Sequence, residues 1–339
     1  MKKITAIILG AVASFAVCAP ALSGCGSDGV KFTLSEEGGK HYIVSYSGYS
    51  SDYGEYEIPA YYGEGDSYAP VTEIANQGFA STRYTKITVP ETVTKIGNAA
   101  FSFCIGLETV EFAEGIKLES LNHGLFGESS KLKEIKIPDS VKAIGPLAFS
   151  GCEQLSKVEM SSVEIIGSRA FENCTALEGI VLPSTLTAIG SLAFFNTGLK
   201  EVEIPGSLHD TTTVDEKGNE STVYGLGLAS FNSCINLESV KIGSGIEVIP
   251  SGVFGYCIAL KEIYIPLTLK EVQGACYKSN GSFLYGHAFY YDSNLTDVYY
   301  EGNEEQWKDI KIETKNLYAN GITMDNSALF NAIKHYEHK

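Results

Sequence analysis

The chain repeats one phrase about every 23 residues, and this repetition constrains its fold more than any other feature. The phrase begins Leu-x-x-Ile-x-Ile-Pro and ends Val-x-x-Ile-Gly-x-x-Ala-Phe-x-x-Cys, as in the copy from Leu132 to Cys152. A unit this short cannot bury its own apolar side chains, so neighbouring copies must stack to form a shared core. The sequence therefore predicts a repeat solenoid in which one phenylalanine closes each copy, at positions 79, 101, 126, 149, 171, 194, 231, 254 and 289.

Each copy is expected to contain one short strand and one turn. The alternation of Ile135 and Ile137 puts both side chains on the same face of a strand, and Pro138 ends that strand because proline has no amide proton for a ladder. The Gly-x-x-Ala-Phe-x-x-Cys segment predicts a turn followed by a single helical turn, with alanine and phenylalanine packed inward. Stacked copies would pair their strands in a parallel sheet, ~4.8 Å apart.

Two insertions interrupt the repeat, at about 208–223 and 272–284. Each alternates like a hairpin, one around Lys217-Gly218 and the other around Asn280-Gly281, a favoured two-residue turn. Both enter between the proline and the Ala-Phe turn, so we expect them to project from the same side and to border a binding face. The alternative is that these loops simply tolerate insertion at little cost.

The open ends of such a stack need covering, because they expose apolar surface and unpaired strand edges. The repeat array is expected to span 71–297, with short hairpin strands in 25–70 as a β-rich N-terminal cap and 298–339 as the C-terminal cap.

The first 24 residues look like an export signal. A basic start is followed by an apolar run from Ile4 to Val17, which is too short for a membrane-spanning helix and is typical of a secretory signal peptide. The sequence from Leu22 to Cys25 resembles the bacterial lipobox, which implies a diacylglyceryl group on Cys25 and cleavage just before it. This predicts an exported, membrane-anchored lipoprotein at the cell surface. The alternative is an ordinary signal peptide that is cut near Ala21 and leaves a free thiol.

The overall charge argues against several classes of partner. The formal net charge is −16 at pH 7. Nucleic acids and anionic lipid surfaces are bound by clustered lysine and arginine side chains, which this composition disfavours. Contact with the membrane is therefore expected through the lipid anchor only.

The cysteines of the repeat all occupy the same position within their copies, three residues after the phenylalanine, and this position is called the cysteine phase. An inward column of this kind could form disulfides between adjacent copies, such as 152 with 174, or could hold a metal. Thr82, Ser129 and Thr197 occupy the same phase, which favours small buried groups that fill a tight corner. Cys276 lies outside this phase and is a candidate accessible thiol. The column consists of Cys104, Cys152, Cys174, Cys234 and Cys257.

No pattern in the chain predicts catalysis or a cofactor. The six histidines lack metal-binding spacing, and neither a nucleophile elbow nor a phosphate loop is present. A hydrolase hidden in the insertions would have to use His209, Asp210 and His287. We therefore expect a protein that is not an enzyme and binds no metal or cofactor.

Outward strand positions are expected to stack into columns. The column Glu178, Lys200, Glu238 and Lys261 alternates in sign, which is typical of a solvated, self-neutralising face. In a second column, tyrosines replace charges at the C-terminal end, and exposed stacked aromatic rings are typical anchors for peptides or sugars. The predicted ligand-binding residues are Tyr264, Tyr299, Lys241 and Glu203. This second column contains Glu111, Lys136, Glu159, Val181, Glu203, Lys241, Tyr264 and Tyr299.

Two segments resemble the BspA-like leucine-rich repeats of bacterial surface proteins. One is Ala-Phe-x-x-Cys-x-x-Leu, as at Ala148 to Leu155, and the other is the tail from Val298 to Trp307. The resemblance implies a leucine-rich-repeat-like fold and an adhesion or binding scaffold that recognises an extracellular or host-matrix protein, or a glycan. The alternative is a structural envelope or spacer protein without a dedicated ligand.

Overall fold

Each copy of the phrase forms one rung of a stack, in which a strand, a two-residue strand and a series of turns follow in chain order. In the strand Glu134–Lys136, Ile135 is buried and its two neighbours are exposed, as the alternation predicts. The predicted repeat solenoid is therefore confirmed. The computed structural model of the chain describes residues 23–25, 29–37, 39–47, 54–214, 220–223, 225–277, 283–314, 317–319 and 322–338.

The strands of successive rungs pair in parallel and in register. Ile135 lies opposite Val158, and Lys136 lies opposite Glu159. The strands form two five-stranded sheets, which are separated by the rung at 179–182. The first sheet contains Glu55–Glu57, Lys86–Val89, Thr109–Phe112, Glu134–Lys136 and Lys157–Glu159. The second contains Glu201–Ile204, Ser239–Ile242, Glu262–Ile265, Asp297–Tyr300 and Ile333–His335.

A second series of short parallel strands runs along another side of the stack. These short strands stay paired at the rung that separates the two five-stranded sheets. Ile166 lies opposite Ile189, and Ile189 forms a bridge with Leu226. The strands of this series are Ser120–Leu121, Ala143–Ile144, Ile165–Ile166 and Ala188–Ile189, followed by Val248–Ile249, Glu271–Val272 and Lys311–Ile312.

The segment before each cysteine contains consecutive turns, so the predicted helical turn is wrong. In one copy Leu147 and Gly151 have φ values of 58° and 75°, and a right-handed helix cannot continue through left-handed residues. The amides alternate in their partners: Ala148 donates to the carbonyl of Gly145 in its own turn, and Phe149 donates to Ala170 in the next rung. This alternation lets the turns add a third hydrogen-bonded ladder to the stack, besides the two series of strands.

The repeat phenylalanines form a single file through the core. All nine are fully buried, and the rings of Phe149, Phe171 and Phe194 stack with centroid distances of 5.1 and 5.2 Å and interplanar angles of 5°. The shared register that the sequence predicts is therefore confirmed.

The N-terminal region, which the sequence predicts to be a cap, contains an antiparallel hairpin. Val30–Ser35 pairs antiparallel with His41–Tyr46, which then pairs in parallel with Ala69–Ile74. Ser23–Cys25 adds an antiparallel edge strand, and residues 1–22 lie outside the described part of the chain. The remaining elements of this cap region are Tyr61–Tyr62, the 3-10 helix Gly65–Ser67 and the strand Lys95–Ile96, which pairs with Ala69–Ile74.

The C-terminal cap contains the two short α-helices of the described chain, Glu304–Lys308 and Ser327–Asn331. The first begins at Asn303 because its side chain and that of Gln306 form a reciprocal capping box. Trp307 on this helix is buried with its ring 5.4 Å from that of Tyr300. Neither helix is long enough or apolar enough to cross a membrane. The hairpin Leu317–Ala319 and Ile322–Met324 completes the cap.

Both insertions contain the expected antiparallel hairpins. Thr211–Val214 pairs with Glu220–Val223, and Cys276–Tyr277 pairs with Phe283–Tyr285. The predicted turn residues at 217–218 and 280–281 lie outside the described residues.

Candidate ligand-binding groove

The outward positions of the strands line one groove of about 1070 Å³, called the groove below. All four predicted ligand-binding residues lie along it, because the parallel register places equivalent residues of successive strands next to each other. The lining comes from the strands Lys157–Glu159, Glu201–Ile204, Ser239–Ile242, Glu262–Ile265 and Asp297–Tyr300, together with the rung at 179–182.

Aromatic side chains form the C-terminal end of the groove. The half-buried rings of Tyr264 and Tyr299 stack 4.6 Å apart at 12°, and His335 stacks on the other face of Tyr299 at 4.6 Å. His338 lies 4.8 Å from Tyr299 and lines the groove. Sequence reasoning missed both histidines, because the strand Ile333–His335 joins the sheet from beyond the last copy of the phrase.

At this aromatic end, hydrogen bonds and nearby charges shift the pKa values of Asp297 and Tyr264. His335 Nε2 lies 2.7 Å from a carboxylate oxygen of Asp297, and this hydrogen bond lowers the pKa of Asp297. Partial burial and the negative charge of Glu262 raise the pKa of Tyr264. The tyrosine hydroxyl therefore stays protonated at neutral pH and can donate a hydrogen bond to a ligand.

Two of the predicted ligand-binding residues neutralise each other. Lys241 Nζ lies 2.9 Å from Glu203, and Lys157 forms a similar ion pair with Glu159. Three further groove carboxylates, Glu201, Glu262 and Glu301, have no salt bridge to any described residue. The groove therefore carries an excess of negative charge.

The alternating column beside the groove forms the expected ion pairs. Lys200 lies 2.6 Å from Glu178, and Lys261 lies 2.6 Å from Glu238, whose pKa is lowered by that hydrogen bond. All four side chains are exposed, so the pairs add little to stability. The interpretation as a solvated, self-neutralising face is confirmed for this column.

The Tyr264 column is not continuous, which corrects the sequence interpretation. Residues 179–182 form no strand, and Val181 is 81% exposed. Gly179 occupies the phase at which the adjacent rungs have Lys157 and Glu201, and glycine weakens strand pairing because it is conformationally free and has no side chain to pack.

The described residues that line the groove include none from either insertion, which does not match the expected rim. Tyr285 in the second hairpin packs against Gly252, in the turn segment of the preceding rung. This hairpin therefore lies beside the turns and not along the strands.

The five repeat cysteines are all buried and free, as the packing interpretation predicts, and the disulfide alternative is wrong. The thiol of Cys174 donates to the carbonyl of Phe149 one copy earlier at 3.2 Å, and Ser129 does the same to Phe101 at 2.7 Å. Thiols and hydroxyls exchange at this phase because both can satisfy that carbonyl. Burial raises the pKa of Cys174 well above its ordinary value. The half-buried Cys276 also has a raised pKa. No cluster of three or more metal-ligating side chains occurs in the described ranges.

Asp292 occupies the cysteine phase of the last copy, three residues after Phe289. Its side chain is 1% exposed, and burial raises the pKa of its carboxyl group well above the ordinary value. Neither carboxyl oxygen makes a hydrogen bond of normal geometry within the described structure, although the nearby backbone of Cys257 favours the charged form. The repeat phase could have identified this buried acid from the sequence.

The residues considered for a hydrolase have separate surroundings. His209 is exposed and its ring contacts the carbonyl of Ser207, whereas His287 is fully buried. Asp210 accepts a hydrogen bond from the amide of Gly225, which fixes the base of the first hairpin.

Several solved structures are similar to this chain. One is a leucine-rich cell surface protein from Faecalibacterium prausnitzii A2-165, with 18% identity, coverage of 88% of this chain and 100% of that chain, and a TM-score of 0.40. A second is the pneumococcal vaccine antigen PcpA, with 20% identity, coverage of 86% and 95%, and a TM-score of 0.35. A third is a leucine-rich repeat protein from Bacteroides capillosus ATCC 29799, with 30% identity, coverage of 41% and 98%, and a TM-score of 0.34.

The repeat itself matches a known family over most of the chain. Six copies of the BspA type leucine-rich repeat region are found, within residues 72–161, 116–217 and 220–326. The comparison with curated proteins found no match. The matched ranges include most of the strands, the turns and the whole phenylalanine file described above, and the chain belongs to the BspA-type leucine-rich repeat family.

Proposed function

We propose that the chain is an exported, lipid-anchored protein of the cell surface that binds an extracellular protein or a glycan through the groove. The aromatic end of the groove carries this proposal. Tyr264 and Tyr299 are half-buried, stack on each other and line the groove, and aromatic rings of this kind offer a large contact area at a small cost in side-chain entropy. The family resemblance favours an extracellular or host-matrix protein as the partner, and the similar proteins include one that is described as a cell surface protein.

Removing the aromatic end should remove binding. We expect Tyr264→Ala combined with Tyr299→Ala to weaken binding to immobilised matrix proteins or arrayed glycans at least ~tenfold, because each ring supplies buried contact area. Binding of the purified protein would be measured by surface plasmon resonance on every ligand that the unmodified protein recognises.

The N-terminal cap offers a matched control. Tyr61 and Tyr68 are also exposed and stacked, with centroids 5.5 Å apart at 11°, and neither lines the groove. The control pair of alanine substitutions removes a similar stacking energy of about 0.5–1.5 kcal/mol, so it corrects for any loss of stability. Equal affinity of the groove variant and the unmodified protein would contradict the proposal, and a complete absence of ligands would favour a spacer role.

The lipid anchor has an independent test. We expect Cys25→Ser to abolish incorporation of a clickable fatty acid in growing bacteria and to move the protein from the membrane fraction to the soluble fraction. A single acyl group binds membranes only marginally, whereas a diacylglyceryl group provides stable anchoring. Cys18→Ser, inside the signal segment, is the matched control and should leave the labelling unchanged. Labelling that persists in Cys25→Ser would disprove attachment at this residue.

A further inference from the structure

The floor of the groove has a gap in its backbone hydrogen bonding. The backbone groups of residues 179–182 make no hydrogen bond within the described chain. The strands on either side, Lys157–Glu159 and Glu201–Ile204, are consequently the edge strands of their sheets. Edge strands present unpaired amide and carbonyl groups that can pair with another extended chain.

The gap is confined to the strand side of the stack. Behind it, the ring of Phe171 keeps centroid distances of 5.1 and 5.2 Å to its neighbours in the file. The short strands Ile165–Ile166 and Ala188–Ile189 also remain paired across the same rungs. The opening is therefore a local feature of a closed stack, and the exposed Val181 lies within it.

The charges around the gap select the chemistry of an occupant. Glu201 is exposed on the adjacent edge strand, and it lacks a salt bridge to any residue that the structure describes. The lysines of the groove, Lys157 and Lys241, are already paired with Glu159 and Glu203. An incoming chain that carries lysine or arginine would find an unpaired carboxylate, and an acidic chain would be repelled.

We infer that the gap at residues 179–182 is a docking site for an extended polypeptide segment with basic side chains. The segment supplies the missing backbone hydrogen bonds, places an apolar side chain against Val181 and directs a basic side chain to Glu201. This inference rests on the proposed function, because it names the partner class for the same groove. It selects a polypeptide and not a glycan, because the unpaired groups are those of a strand edge.

The test uses fluorescently labelled synthetic peptides and the full mature chain. We expect a 12-residue peptide of alternating lysine and valine to bind, measured by fluorescence anisotropy. The glutamate–valine counterpart, and the same lysine peptide with alternate amides N-methylated, should each bind at least ~tenfold more weakly. Val181→Pro should cause a similar loss because it removes an amide that makes no hydrogen bond in the free protein. Val181→Thr keeps the amide and the branched shape, and should stay within ~threefold.

The role of the Glu201 carboxylate is tested by a separate measurement, the salt dependence of peptide binding. Glu201→Gln should weaken binding of the lysine peptide and flatten its dependence on salt concentration. Equal binding of the lysine and glutamate peptides, or of the methylated and unmethylated ones, would overturn the inference. Tyrosine-dependent binding of a matrix protein that is unaffected by Val181→Pro would overturn it while leaving the proposed function intact. A glycan that competes for the groove, without any peptide binding, would overturn it as well.

Discussion

Phe171→Ala should lower the free energy of unfolding by about 3–5 kcal/mol, a large part of the stability of a typical domain. Phe171 is fully buried at the centre of the phenylalanine file, where it contacts Phe149 and Phe194 on its two faces. The cavity would interrupt two rung interfaces at once, and the tight spacing of the neighbouring rungs limits collapse around it. Urea denaturation followed by circular dichroism would measure the loss.

Phe103 provides a matched control in the same type of turn. It lies two residues after Phe101 and its side chain is 57% exposed, so Phe103→Ala should change stability by less than about 0.5 kcal/mol. Because a stacked repeat is stabilised mainly by contacts between neighbours, the Phe171 variant should also unfold less cooperatively. A loss below about 1 kcal/mol for Phe171→Ala would mean that the file is not the main source of stability.

The parts of the fold that depend on the repeat phase were predictable. Phase determines which side chains face inward, so the phenylalanine file, the buried thiols and the outward column of Lys241, Tyr264 and Tyr299 all follow from the period. Parallel register then brings equivalent positions together without knowledge of the turns. This is why residues as distant in sequence as Glu203 and Tyr299 could be assigned to one surface.

The turns were not predictable, because most of their left-handed positions are not glycines. Phe103 and Tyr256 have φ values of 55° and 61°, in a region where bulky side chains are rare. Their strain is offset by the hydrogen bonds that each turn donates to the next rung, which is an effect of stacking and not of local sequence. The gap at 179–182 had one weak signal in Gly179, since a single glycine does not show whether a strand will pair.

Asp292→Thr should raise the free energy of unfolding at pH 7 by about 1–3 kcal/mol, the usual cost of a buried polar group without partners. The same phase already contains Thr82 and Thr197, so a threonine fits the column. The Thr197 hydroxyl donates to the carbonyl of Phe194 at 3.1 Å, which is the bond that a threonine at this position could make to Phe289. Asp309→Thr changes an exposed aspartate, and should alter stability by less than about 0.5 kcal/mol.

The pH dependence separates this effect from ordinary packing. Burial raises the pKa of Asp292 in the folded chain, so the folded state binds more protons than the unfolded state above the ordinary carboxyl pKa of about 3.9. The contribution of Asp292 to stability is therefore fully present below that value and is lost as pH rises towards the folded pKa. Glu238 and Asp297 have lowered pKa values and give the opposite slope, but both variants retain them.

The difference in stability between Asp292→Thr and the unmodified protein isolates the buried carboxyl group. It should be smallest near pH 3.5 and grow as pH rises to 7, and urea denaturation at a series of pH values would measure it. A difference that stays constant with pH would show that the variant acts through packing alone. The BspA-type stack would then tolerate a charged group at the cysteine phase. The fully buried phenylalanine file implies the opposite, because it excludes from the core the water that would solvate such a charge.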